Sequence, residues 1–149
     1  MLANQLREED TLRHVMTSPV RTMESSGSVI SAAQEMVRHD IGSIVVVEAK
    51  KPVGMITERD ITKQVIKGEK VLKEPVKNVM TKGIVTAPPN MPVQEAFELM
   101  LKSKVRRLPI VENNSIVGIV TVKDLMRWVL RVSYEPNIPK QIKMILEAQ

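Results

Sequence analysis

Two short phrases in this chain could do chemistry, and they are copies of each other. The first is Gly54-Met55-Ile56-Thr57-Glu58-Arg59-Asp60, and the second is Gly118-Ile119-Val120-Thr121-Val122-Lys123-Asp124. Each reads as an apolar strand, then Thr-x-x-Asp, then a helix. The plainest account is local. Thr-x-x-Asp is a capping-box pattern, in which the Thr oxygen accepts from an N–H three residues on and the Asp folds back onto the Thr N–H. A second account adds a ligand. A helix start offers unpaired N–H groups and a partial positive charge, which attract phosphate. A Thr hydroxyl there can donate to a phosphate oxygen. An Asp one turn on repels phosphate but can accept both hydrogen bonds of a vicinal diol. Phosphate and diol at that separation describe a ribonucleotide, and two copies predict two clefts.

The phrases belong to a longer repeat. Met16–Ile61 matches Met80–Leu125 at a constant offset of 64 residues, without a gap. Met16-Thr17 meets Met80-Thr81, Thr22 meets Thr86, and Ala32 meets Ala96. Met36 meets Met100, Val47-Glu48 meets Val111-Glu112, and Val53-Gly54 meets Val117-Gly118. A repeat of this length is one supersecondary unit that cannot bury its apolar face alone. Each half, at about 60 residues, is marginal in isolation. The halves are therefore expected to pack on each other around a pseudo-twofold axis.

Periodicity gives the elements of each half. In the first, Val20–Thr22 reads as a strand and Ser28 as an N-cap, followed by Val29, Ala32, Ala33, Met36 and Val37 at helical spacing. Gly42 is expected to end that helix or turn the chain near it. Ile44–Val47 is a β-branched run suited to a strand buried on both faces. Lys50-Lys51-Pro52 reads as a turn, Val53–Ile56 as the second strand of a hairpin, and Glu58 to about Lys67 as a helix. The second half predicts a strand at Ile84–Thr86, a helix at Val93–Lys102, strands at Leu108–Val111 and Ile116–Val120 about an Asn113-Asn114 turn, and a helix at Val122–Val132. The order β-α-β-β-α occurs twice, an α/β (α+β) fold. The expected division is 14–67 for the first motif, 68–77 for a charged linker, 78–132 for the second motif and 133–149 for a tail. Ile142, Ile145 and Leu146 could make that tail helical after Pro136 and Pro139. Residues 1–13 read as a polar helix or loose arm.

Composition removes several function classes. There is no Cys, so disulfides, thiolate zinc sites and cysteine nucleophiles are excluded. Aromatic content is 2%, so the core must be built from aliphatic residues and Met, and the ten Met residues read as core filling. His14 and His39 lack metal-ligand spacing. The glycines form neither a Walker A sequence nor Gly-x-Gly-x-x-Gly, and no Ser-His-Asp set stands out. Trp128 reads as a packing or dimer-face residue. The start of the chain has no apolar h-region and no run approaches membrane-spanning length, so a cytoplasmic protein with no membrane partner is expected. Residues 101–149 hold nine Lys/Arg against four Asp/Glu, while residues 1–100 hold thirteen of each. That surplus suits a solvated surface first and an anionic partner second.

Together, the repeated Val-Met-Thr opening, the Val-x-Gly-φ-φ-Thr-x-x-Asp ending and the doubling resemble a pair of CBS domains, the motif named after cystathionine β-synthase. Such a pair forms a stand-alone Bateman module, and the likeness covers all but the arm, linker and tail. The resemblance implies paired β-α-β-β-α units, clefts that bind AMP, ADP, ATP or, in some members, an S-adenosylmethionine-type or NAD-type ligand, no catalysis, no required cofactor, and dimerisation into a disc. It implies that Asp60 and Asp124 hold ribose, that Thr57 and Thr121 contact phosphate, and that Thr22 and Thr86 add polar contacts. Ile44 with Val45, and Leu108 with Pro109, would line the adenine slots. Arg106-Arg107-Leu108-Pro109 stands in the second repeat where the first has Gly42-Ser43-Ile44-Val45. The cleft holding Arg107, expected together with Asp124, should therefore take the more phosphorylated ligand or be the only one occupied, and one of Arg106 and Arg107 should be solvated. An unidentified regulated protein would read the signal. The second class of function is a nucleic-acid-associated or purely architectural module that uses the basic C-terminal third. It is weighed down by the lack of aromatic stacking residues.

Overall fold

The structure, a computed structural model, describes residues 10–134. The expected helix in the tail lies outside them, as does most of the N-terminal arm. The first repeat runs β1 (Thr22–Glu24), α2 (Val29–His39), β2 (Ser43–Glu48), β3 (Lys51–Thr57) and α3 (Glu58–Val65), preceded by a short α1 (Leu12–Val15). The second runs β4 (Thr81–Lys82), α4 (Val93–Ser103), β5 (Arg107–Glu112), β6 (Ser115–Thr121) and α5 (Val122–Tyr134). One sheet has the order β1-β2-β3-β4, with β1 parallel to β2 and the other pairs antiparallel; the second is the β5-β6 hairpin.

Three expectations change in detail. The strand foreseen at Val20–Thr22 lies at Thr22–Glu24. The strand foreseen at Ile84–Thr86 does not form; a single parallel bridge joins Ala87 to Ile110. Pro88 and Pro89 follow at once, and proline cannot donate to a ladder. The first hairpin turns on Ala49 and Lys50 rather than Lys50-Lys51-Pro52, and Lys51 and Pro52 lie in β3. Ala49 and Lys50 have φ of 50° and 66°, and Asn113 and Asn114 have 50° and 62°, so both hairpins use a two-residue turn that is left-handed throughout. Ser28 caps α2 by accepting from the Ser31 N–H, as foreseen. Asp40, at φ 51°, closes that helix, and Gly42 bends the chain just beyond it into β2.

The core has three parts. Val29, Ala32, Met36, Ile44, Val46 and Ile56 join α2 to the first sheet. Val93, Ala96, Met100, Leu108, Ile110, Val120, Leu125 and Trp128 join α4 and α5 to the second. Between the sheets lie Val45, Val47 and Met55, with Ile84, Ile116 and Ile119 against them. The burial pattern of β2 explains its unbroken β-branched run, because one face meets α2 and the other meets the second repeat.

The segments that lead into each repeat cross over. Leu12, fully buried, belongs to the second repeat's core, and its N–H bonds the Met91 carbonyl at 2.9 Å. Val76, fully buried and just ahead of the second repeat, belongs to the first repeat's core, with its N–H on the Gly27 carbonyl at 2.7 Å. Strand β4 completes the first sheet beside β3, while Thr17 bridges Ile119 of β6 in the same manner. The charged stretch 68–77 is accordingly folded, as two short 3-10 turns at Glu69–Lys73 and Val76–Asn78.

Candidate functional site

Both Thr-x-x-Asp boxes close. Asp60 Oδ2 accepts from the Thr57 N–H and the Thr57 hydroxyl, each at 2.9 Å, while Thr57 Oγ1 accepts from the Asp60 N–H at 3.2 Å. Thr121 and Asp124 repeat this at 2.8, 2.9 and 3.2 Å. A threonine hydroxyl has one proton. Thr57 and Thr121 spend theirs on the neighbouring Asp, so neither can donate to phosphate while its box is closed. The mouths of the helices are partly filled as well. The Glu58 N–H bonds the Gly42 carbonyl at 3.1 Å, and the Val122 N–H bonds the Arg106 carbonyl at 3.0 Å. Asp60 Oδ1 has no hydrogen-bond partner among the described residues, so it keeps two lone pairs for a diol.

A cleft of about 590 Å³ opens where the repeats meet. One wall carries Gly42, Thr57, Glu58 and Arg59 from the first repeat; the other carries Lys104, Arg106, Arg107 and Pro109 from the second. Met55, Ile84 and Val105 supply apolar surface. Four cationic residues therefore line the cleft with one acid, Glu58. Arg107 Nη2 and Glu58 Oε2 each lie 3.4 Å from the point that a Cβ on Gly42 would occupy. A Cβ there would only touch the ends of those two flexible side chains.

The expected site residues are dispersed. Thr57, Arg107 and Pro109 line this cleft. The side chains of Ile44 and Leu108 turn into the two helix-facing cores, and Val45 is sealed in the layer between the sheets. Thr22 is exposed at the start of β1. Thr86 lines a different hollow with Lys51, Pro52 and Asn114. Asp60 stands behind Thr57, joined to the cleft through its box. Arg107 and Asp124 are not brought together: Asp124 lines a hollow beside α1 with Arg127 and Trp128. Arg106 and Arg107 both line the cleft, with Arg106 exposed and Arg107 half-buried. Arg59 and Lys104 were not foreseen. Arg59 sits inside the Thr-x-x-Asp phrase, where its position alone could have marked it. Lys104 reaches the wall because the chain turns left-handed there, at φ 55°, to end α4. Trp128, as expected, packs in the core.

Comparison with known proteins gives one answer. The family model for the CBS domain matches residues 12–67 and again residues 76–131. The CBS domain-containing protein YhcV of Bacillus subtilis is 37% identical over 115 residues, which span 77% of this chain and 82% of that protein. The inosine-5'-monophosphate dehydrogenase of Methanocaldococcus jannaschii is 36% identical over 115 residues, which span 76% of this chain but 22% of that enzyme. A solved CBS domain pair, that of protein MJ0100 in complex with 5'-methylthioadenosine and S-adenosyl-L-methionine, is similar at a TM-score of 0.72 and 29% identity, covering 80% of this chain and 94% of that one. With two matched copies laid over the two structural repeats, this chain belongs to the CBS domain family.

Proposed function

We propose that this CBS pair is a regulatory module, not an enzyme, that binds an adenine nucleotide (AMP, ADP or ATP) in the Arg107 cleft and signals by a change of conformation or assembly. One observation carries the choice of nucleotide. Arg59, Lys104, Arg106 and Arg107 converge on a single cleft from both repeats, against Glu58 alone. Guanidinium groups give planar, often bidentate donors that suit phosphate. 5'-Methylthioadenosine carries no anionic group, and S-adenosylmethionine offsets its one carboxylate with an ammonium and a sulfonium cation, so both use that charge less than a nucleotide does. The relative MJ0100 supports an adenosine core, since its CBS pair was solved with both of those ligands. Asp60 Oδ1 offers the ribose acceptor beside the cleft. Because the cations come from both halves, phosphate draws the walls together, and this difference in affinity between open and closed states is what a signal requires. A separate regulated protein reads the change. Val37 and Leu101, exposed at equivalent positions on α2 and α4, support self-association of the module as a homodimer.

The test is a calorimetric panel of AMP, ADP, ATP, 5'-methylthioadenosine and S-adenosylmethionine. The nucleotides bind more tightly than the two sulfur ligands, with affinity that rises with phosphate number and falls with salt. Arg107→Ala costs ATP at least about tenfold, the scale of a lost charged hydrogen bond. It leaves 5'-methylthioadenosine unchanged. Tighter binding of S-adenosylmethionine than of every nucleotide rejects the phosphate assignment. A gel shift that is steep in salt, with no nucleotide binding, favours the nucleic-acid reading instead.

A further inference from the structure

A second hollow, of about 250 Å³, lies between α1 and α5 and shares no lining residue with the Arg107 cleft. His14 stands on one side, Arg127 and Arg131 on the other, and Trp128 forms part of the wall. Arg127 and Arg131 are four apart on one helix, so they share a face, and like charges at that spacing repel. The acid beside them, Asp124, is largely committed. Its Oδ2 holds the Thr121 box, and its Oδ1 reaches Arg127 Nη1 only at a long 3.4 Å. Arg127 Nε is shut off from solvent and has no hydrogen-bond partner among the described residues. A buried N–H without an acceptor carries a desolvation cost, which the Arg127 side chain sheds by swinging toward an acceptor in the hollow. His14 adds a donor. Its Nδ1 accepts from the Thr11 N–H at 3.3 Å, which leaves the ring proton on Nε2.

The fold does not require this arrangement. At the equivalent positions the first repeat carries Lys63 and Lys67 in place of the two arginines, and the lead-in to the second repeat carries Asn78 in place of His14. Lys63 makes no bond to Asp60 among the described residues. The guanidinium pair is thus particular to the second repeat.

We propose that the α1–α5 hollow is a binding site for an oxyanion of the phosphate class, held by Arg127, Arg131 and the His14 Nε2–H. Donors arrive from two elements, so a group with oxygens on several sides satisfies them better than a planar carboxylate. The ion is either free phosphate or the phosphate monoester of a larger molecule. Trp128 is the only tryptophan in the chain and lines the hollow, so it reports occupancy directly. The full-length protein is titrated with inorganic phosphate, with phosphoserine and with acetate, at constant ionic strength set by chloride, while tryptophan emission is followed. Phosphate or phosphoserine gives a saturable change and acetate does not; whichever of the two binds tighter names the source. Arg131→Gln, at an exposed side chain, weakens the response at least about tenfold. Arg127→Gln abolishes it, and Arg107→Ala leaves it intact. The site is overturned if neither phosphate nor phosphoserine saturates, if acetate matches them, or if Arg131→Gln titrates like the wild type with an unchanged melting temperature.

Discussion

At the scale of single residues, the two Thr-x-x-Asp boxes show where reading the sequence stops. The spacing revealed the box, and the box is there. What it could not reveal is how the one hydroxyl proton is used, because the local and the ligand-binding accounts call on the same atoms. Hydrogen-bond geometry shows each proton spent within its box, and under the proposed function phosphate recognition falls to the arginines. The glycines that open each phrase are a sharper case. A Cβ on Gly54 would lie 2.5 Å from Met80 Sδ and 2.8 Å from the Thr81 carbonyl oxygen. On Gly118 the same atom would lie 2.6 Å from Met16 Sδ but 3.2 Å from the Thr17 carbonyl oxygen. A thioether can swing away, whereas a backbone oxygen in a paired strand cannot. Gly54→Ala therefore destabilises by about 1–3 kcal/mol, the range for overpacking, and Gly118→Ala by less. Urea denaturation of the two variants side by side checks the order.

At the scale of elements, the helices were the most legible parts. Apolar residues recur along them with a clear period, and α2, α4 and α5 begin where the sequence placed them. The missing strand at Ile84–Thr86 was a failure of context. Its residues favour a strand, but two prolines beyond it remove the donors that would extend the pairing. The first hairpin was misplaced because lysine and proline read as turn residues, while the turn sits on Ala49, which has no such signature. Alanine at φ 50° is strained, since a left-handed conformation costs a residue with a Cβ roughly 1–2 kcal/mol. Ala49→Gly relieves this, less what glycine loses in chain entropy. The net gain is about 0.5–1 kcal/mol, read as a higher denaturation midpoint. The same change at Asn113 gains less, because asparagine tolerates this conformation.

At the scale of the whole molecule, the repeat announced two halves but not how they are joined. Residues 68–77 read as a linker because charge dominates them, and one buried valine in a charged stretch leaves no periodic trace. The cleft was half legible for a related reason: Arg107 stood out in its motif, but Arg59 and Lys104 join it only through the packing of one repeat on the other. The crossed lead-in segments make a single folding unit. Leu12→Ala, at a fully buried side chain, costs about 2–5 kcal/mol. Although Leu12 precedes the first repeat, the loss appears in tryptophan emission from the second. The far-UV dichroism transition moves with it, as one cooperative step requires. The crossing also bears on descent from a duplicated ancestor. A polypeptide holding one copy would leave a vacant slot in its interior and own the plug for somebody else's. It could become whole only by trading plugs with a twin, so a fragment of residues 1–75 is expected to sediment as an exchanged pair rather than as a lone particle.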